Sequence, residues 1–496
     1  MAARWLVPVL LVALPAAGRA ADDSGPKLQL SGTLSSDVRF DIERYRGVGN
    51  QGYDFSVNRN DLTLHADLMP SERVVAVIDA RLRYYGFNRV VALSDTSDRD
   101  KIDPFSVQLD QAYVAVRGVP VASMDLKIGR MIQQWGAADM FNPTDNLNAR
   151  DFYDPMDYTR KVPNQMLELD WYPAEWLSLQ GVVVPVFKPS ELPESTAMAY
   201  LVETDARGCF VAAPAAPLDR AGALELANKF GSVDPCQLHF GTPQVNTLMP
   251  KNELRDAQAG VRAKIKAGDL EVGLSYYYGR FSFPVAVDAQ ASATVTSSGT
   301  DVTYLAEVYY PRMQVAGLDF SYSAPWLFDI GFVGELAVIF PEQVDFGLRA
   351  FVNGSKAVEL KSRNVSDKPF IKATLGADYT FTKWLYVNAM FVHGFFDEFN
   401  DAYGIHNYAV ASADVKTFED SVVWRASAVM SVDDYSAVLN PQVTWVVIPG
   451  VEVLAGAFVY VGSTHPSDPN DYAAREKFGQ KAAGRSIAFV KGRLTW

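Results

Sequence analysis

The sequence predicts an all-β fold: one closed, antiparallel transmembrane β-barrel of about 18 strands, with 16 as the nearest alternative. Three observations carry this reading. Apolar and polar residues alternate with period two through most of the chain. The connections between alternating segments are short and long by turns, the pattern of outer-membrane barrels. Trp residues recur where a short turn gives way to the next strand, as at a membrane interface.

The first twenty residues read as a secretory signal: Arg4, an apolar core from Leu6 to Leu14, and Gly18-Arg19-Ala20 before an expected cut. Residues 21–496 then form a single barrel domain with no linker-like break in composition. Loss of Arg4 and Arg19 moves the formal net charge from -13 to -15. An acidic chain without a basic domain argues against nucleic acid. No later segment has the ~18 uninterrupted apolar residues of a membrane helix. The composition is instead aromatic, with 23 Tyr, 28 Phe and 9 Trp.

From Leu28, the residues Leu30, Leu34 and Val38 face one way, and Gln29, Ser31, Asp37 and Arg39 the other. Leu62, Leu64 and Leu68 repeat the pattern against Asp61, His65 and Asp67, as do Ile78 and Leu82 against Asp79, Arg81 and Arg83. Short turns are expected at Pro70-Ser71-Glu72, Gly118-Val119-Pro120, Tyr172 to Glu175, Ala267-Gly268-Asp269, Ser323-Ala324-Pro325, Phe381-Thr382-Lys383, Phe418-Glu419-Asp420 and Pro449-Gly450. Trp176, Trp326 and Trp384 follow three of them. Long connections fall between, including 132–164, 188–255 and 341–368. The span from Asp301 to Ala324 reads as one long strand. At the end of the chain, Val490, Leu494 and Trp496 face lipid and Phe489, Lys491 and Arg493 face in. A last strand ending on an aromatic resembles the assembly signal of bacterial outer-membrane barrels, with Phe489, Leu494 and Trp496 as its residues and the barrel-assembly machinery as partner.

Alternation places many charges inside, among them Asp37, Arg39, Arg83, Glu168, Asp170, Glu307, Glu335, Lys372 and Arg425. Toward hydrocarbon such charges cost up to about 4 kcal/mol each near the midplane. Their mixed signs fit a wall of salt bridges. Arg262, Lys264 and Lys266 form a basic row on one strand that either guides an anionic solute or is neutralised by neighbouring carboxylates.

The stretch Met124 to Tyr172 is the densest in turn formers and opposite charges. Its strands enclose Trp135-Gly136, Asn142-Pro143 and Asp145, Asp151, Asp154 and Asp157, which can pair with Arg130, Arg150 and Arg160. Two readings stand: a constriction folded into the lumen, and an ordered surface loop. Strict alternation points Arg130 at lipid unless Gly129 marks a bulge. Connection 188–255 carries a helical pattern over 218–230 and the two cysteines, Cys209 and Cys236, which an oxidising compartment is expected to join. It reads as a lid, plug or passive cap.

Gly129-Arg130-x4-Trp135-Gly136, followed by Asn142-Pro143-x-Asp145, Arg150 and Pro163, resembles a family of Gram-negative outer-membrane barrels of undefined function. Members are often encoded beside RND-type exporters and periplasmic lipid-handling proteins. Met131 and Ala137 depart from the usual Gln and acidic residue of that pattern. The resemblance implies transport of lipids or other hydrophobic molecules, with outer-membrane lipid and lipopolysaccharide around the barrel and an RND-type export partner. A specific porin for a small polar or anionic solute is the alternative, and a closed structural or adhesive barrel the next. No metal or cofactor is expected, because the five histidines are scattered. No catalytic constellation is legible, and His393 with Asp397 and Glu398 is the one grouping to inspect.

Overall fold

The computed structural model describes residues 26–42, 55–154, 157, 159–192, 203–204, 210–212, 238–240, 244–296, 299–400, 404–462 and 486–496. The expected signal, the cysteine pair and the 218–230 pattern lie outside these residues.

Eighteen strands form one closed sheet. The first seven are β1 (Lys27–Asp41), β2 (Phe55–Ser71), β3 (Val74–Tyr85), β4 (Phe105–Arg117), β5 (Met124–Met131), β6 (Asn164–Ala174) and β7 (Leu177–Val184). The next six are β8 (Gln258–Ala267), β9 (Leu270–Arg280), β10 (Arg312–Ala324), β11 (Ile330–Pro341), β12 (Phe370–Thr382) and β13 (Leu385–His393). The last five are β14 (Asn407–Thr417), β15 (Val422–Ser431), β16 (Ala437–Ile448), β17 (Val451–Val461) and β18 (Ile487–Thr495). Each pairs antiparallel with its neighbour, and β18 closes on β1 from Thr33↔Thr495 to Asp41↔Ile487. Closure leaves no free sheet edge, so each strand has a hydrogen-bonding neighbour on both sides.

The short turns fall where the sequence placed them, all at one end. Exposed Trp176, Trp326, Trp384, Trp424 and Trp445 collect there. The outward face is apolar: Leu30, Leu64, Ile78, Leu274, Leu375 and Val490 are among its exposed residues. The inward face carries ion pairs. Arg83 meets Asp61 at 2.8 Å, Arg81 meets Asp110 at 2.7 Å, and Lys127 meets Glu168 at 2.6 Å. Charges that hydrocarbon would reject thus neutralise each other inside.

Three expectations need correction. Asp301 to Ala324 is not one strand. Gly299–Tyr309 belongs to a different sheet, and the barrel strand begins at Arg312. Pro311 intervenes, and its lack of an N–H ends a ladder. Glu307 therefore lies in a loop hairpin and does not face the lumen. Connection 341–368 is not merely polar loop either: Val344–Val352 and Ser355–Val365 form a hairpin through Asn353-Gly354, both at positive φ. That hairpin pairs in parallel with the hairpin Val285–Thr296/Gly299–Tyr309, from Asp288↔Gly347 to Ala293↔Val352. With two short strands, Leu238–Phe240 and Gln244–Leu248, they make a six-stranded sheet at the long-loop end, with Ala289, Ala306, Phe346 and Leu348 as its core.

The third correction concerns Arg130. Pairing runs unbroken through Ile128↔Val114, Gly129↔Tyr113 and Arg130↔Ala112, so Gly129 marks no bulge. Arg130 keeps to the outward face with Ile128, and its Nε donates to the Leu109 carbonyl at 2.6 Å. Gly129 is needed for another reason: at φ +141 a Cβ would lie 2.6 Å from the Tyr113 Cα. The irregularity sits on β4, where a register shift leaves Asp110 extra and turns it inward to Arg81.

Candidate functional site

Exposure along β8 locates the filled part of the lumen. Its inward side chains run from Gln258 and Gly260, both buried, through Arg262 at 12% exposed and Lys264 at 45% to Lys266 at 64%. The lumen is occupied at the long-loop end and open toward the short turns. The occupant is the connection between β5 and β6.

Just past β5, Trp135 is fully buried, and its Nε1 donates to Gln180 Oε1 on β7 at 2.6 Å. The loop then crosses to β11. There the Glu335 carboxylate accepts from the backbone N–H of Ala137 and Ala138, both at 2.8 Å, from Asn142 Nδ2 at 3.0 Å and from Thr144 Oγ1 at 2.7 Å. Gly136, at φ +95, permits this approach, because a Cβ would run into that carboxylate. The Phe141 carbonyl accepts from Thr374 Oγ1 on β12 at 2.7 Å, and the Phe141 ring packs with Met390, Val392 and Phe395. Returning, the chain reaches β1 and β2. Asp154 meets Arg39 at 2.6 Å and also pairs with Arg59. Although burial alone would raise it, the Asp154 carboxyl is held well below the usual range by these two arginines.

The expected residues are therefore only partly brought together. Trp135, Asn142, Asp145 and Arg150 are buried in the lumen. Arg160 lies at its edge, paired with Asp151 at 2.8 Å. Arg130 is outside. Of the anticipated pairings with the loop arginines, Asp151–Arg160 forms. Asp145 pairs with Lys161 instead, and Asp154 with the wall arginines, which the barrel brings closer than Arg130 or Arg150.

The basic row is neutralised. Arg262 pairs with Asp319 at 2.6 Å, Lys264 with Glu271 at 2.5 Å, and Lys266 approaches Glu271 at 3.9 Å. His393 does not join Glu398; it contacts Asn407 at 2.9 Å, while Glu398 binds His406 at 2.9 Å and Tyr408 at 2.5 Å. At the end of the chain, Phe489 packs inward on Phe458, and Leu494 and Trp496 are exposed outward.

Sequence reasoning missed the aromatic wall opposite the loop. Phe281 and Phe283 just beyond β9, and Phe395, Phe396 and Phe399 just beyond β13, stack against one another and against Phe141 and Phe152. The signal was the run Gly394-Phe-Phe-Asp-Glu-Phe399, too aromatic for a solvent loop. All of these rings but Phe152 line a cavity of about 60 Å³, together with Arg150, Arg280 and Lys372. Arg280 is engaged by Asp256 at 2.8 Å, and Lys372 Nζ donates to the Phe395 carbonyl at 2.6 Å. The Arg150 guanidinium stacks on the Phe396 ring at 4.4 Å.

The fold is thus a closed antiparallel barrel of 18 strands with one loop folded through its lumen. The chain itself belongs to the DUF1302 family, described as a protein of unknown function, which matches residues 44–488. No curated protein matches it. Among solved structures, it is similar to OccAB1 of Acinetobacter baumannii at 10% identity and TM-score 0.46, over 95% of this chain and 96% of that one. OccAB3 of the same organism is similar at 8% identity and TM-score 0.44, over 95% and 99%. Salmonella typhi OmpF in complex with daunomycin is similar at 8% identity and TM-score 0.38, over 95% and 98%.

Proposed function

We propose that this protein is an outer-membrane transporter that passes a hydrophobic or lipid-like molecule through a barrel whose lumen loop 132–163 holds shut. The apolar outer face and the tryptophan level at the short turns support the membrane setting. One observation carries the choice of cargo. At the end of the lumen that the loop fills, Trp135, Phe141 and Leu147 of the loop pack with Phe281, Phe283 and Phe399 beside it into apolar clusters. The charges there are engaged in docking the loop, in ion pairs with one another or, for Lys372, with the Phe395 carbonyl, Arg150 excepted. A water-filled polar pore would need solvated walls there. The basic row, which would serve an anionic polar solute, is spent on Asp319 and Glu271. The short-turn end, open and charged, would face the periplasm, where the barrel-assembly machinery acts during biogenesis and an export partner of RND type would dock.

Proteoliposome uptake tests this reading. Vesicles containing the full-length chain should equilibrate a fluorescent hydrophobic probe faster than empty vesicles, and should retain a trapped disaccharide. Rapid disaccharide loss without probe uptake would favour the polar-solute alternative. Neither movement, before or after removal of 142–160, would favour a closed structural barrel.

A further inference from the structure

Four arginines are buried among the described residues: Arg39, Arg83, Arg150 and Arg280. Three have carboxylate partners: Arg39 has Asp37 and Asp154, Arg83 has Asp61, and Arg280 has Asp256. Arg150 does not. It is 6% exposed, and its guanidinium makes neither an ion pair nor a hydrogen bond with the described residues. Among the described residues, its guanidinium is partnered by the face of Phe396 alone. The carboxylates whose charge reaches it, Asp145 and Glu335, are occupied by Lys161 and by the donors of the loop. Burial pushes the Arg150 guanidinium below its ordinary value, against the weaker pull of those two acids.

A buried guanidinium with five donors and no acceptor is costly to maintain. Here it lines a cavity with six phenylalanines, Met313 and Ile339 on one part of its wall and Asn142, Asn146, Asn148 and Ser282 on another, and the other cations on that cavity are Arg280 and Lys372. Asp145, already paired, is the one acid among the lining residues. We propose that Arg150 is an anion anchor and that this site takes an amphipathic carboxylate. The head would lie in the guanidinium fork, whose planar geometry matches a carboxylate. The apolar chain would lie among Phe283, Phe395, Phe396 and Phe399. At about 60 Å³ the cavity admits a head of carboxylate size, and the chain would enter by parting the stacked rings. The inference deepens the transport reading by naming the cargo class, but it concerns binding and is tested without transport.

Equilibrium binding of dodecanoate, methyl dodecanoate and acetate to the full-length protein in a non-ionic detergent is the test. Dodecanoate should bind at least tenfold more tightly than its methyl ester, and acetate should not bind measurably. R150Q should lose at least tenfold in dodecanoate affinity and with it the preference over the ester, and R150K should retain part of the preference. F396A should weaken dodecanoate and ester alike. Equal affinity of the wild-type protein for dodecanoate and ester would overturn the proposal, and so would an R150Q protein that still discriminates. If R150Q does not fold, judged by heat-modifiable electrophoretic migration, the wild-type comparison and R150K decide. Selective binding without vesicle uptake would leave the site and refute transport. Uptake without selective binding would do the reverse.

Discussion

From its place on the wall, Glu335 accepts from five donors of a loop about 190 residues earlier in the chain, at 2.7 to 3.3 Å. A glutamine there has one acceptor oxygen and turns an NH2 group toward N–H donors. E335Q should cost about 3 kcal/mol of loop docking. Hydrogen exchange over 136–146 would report it as protection falling by roughly two orders of magnitude; unchanged protection would show that the carboxylate does not hold the loop. Alternation along β11 already turned Glu335 inward, but which loop it held was not legible, because the contact joins elements distant in sequence. A second residue-scale prediction concerns the 394–406 loop. His406 is raised above its ordinary 6.5 by its bond to Glu398, and Glu398, despite burial, is held below its ordinary 4.5 chiefly by His406 and Tyr408. A raised histidine contributes stability that is complete below about pH 6.5 and is lost as pH rises through the folded value. A lowered carboxylate contributes above about pH 4.5 and is lost as pH falls through its own folded value. Exchange in this loop, corrected for intrinsic rate, should therefore be slowest between about pH 4.5 and 6.5 and speed up on the alkaline side. H406Q should remove the alkaline change.

Among the elements, barrel strands were the most legible and loop strands the least. Period-two alternation with one apolar face fixes which side of a strand is which, and a short turn fixes its register. The loop hairpins offered the same cues: Val344, Phe346 and Leu348 alternate toward Asn353-Gly354, a strong hairpin turn. Lying between two barrel strands, they read instead as part of a long connection. Asp301 to Ala324 misled for the opposite reason, since β-prone residues flank Tyr310-Pro311 on both sides. Because the barrel ladder does not use the loop sheet, replacing 344–365 with a short linker should preserve heat-modifiable migration and expose 285–309 to protease. Loss of the folded band would show that the two sheets fold as one. Gly129 is the contrary case, an element that fails locally. G129A places a Cβ against β4 at a φ that L side chains avoid, and should cost roughly 1–3 kcal/mol. The folded band should then convert at a lower temperature, whereas an unchanged conversion would deny the close approach of β5 to β4.

For the whole molecule, closure into 18 strands follows from counting connections, and the loop in the lumen follows from nothing so local. The sequence marked 132–164 as dense in turns and charges, yet it left constriction and surface loop as equal readings. What decides between them is the set of partners the closed wall supplies: Gln180, Glu335, Thr374, Arg39 and Arg59, drawn from β7, β11, β12, β1 and β2. The wall arginines among these partners, with Lys161, also explain why Arg150 does not pair with Asp154 or Asp145. If the loop closes an otherwise open barrel, its removal must open it. Single-channel conductance in a planar bilayer, for the full-length chain and for a variant lacking 142–160, measures this most directly. The full-length protein should show little or no steady current, and the deleted form a stable ohmic pore. A large steady current from the intact chain, or none from a deletion variant that keeps its heat-modifiable band, would contradict the account.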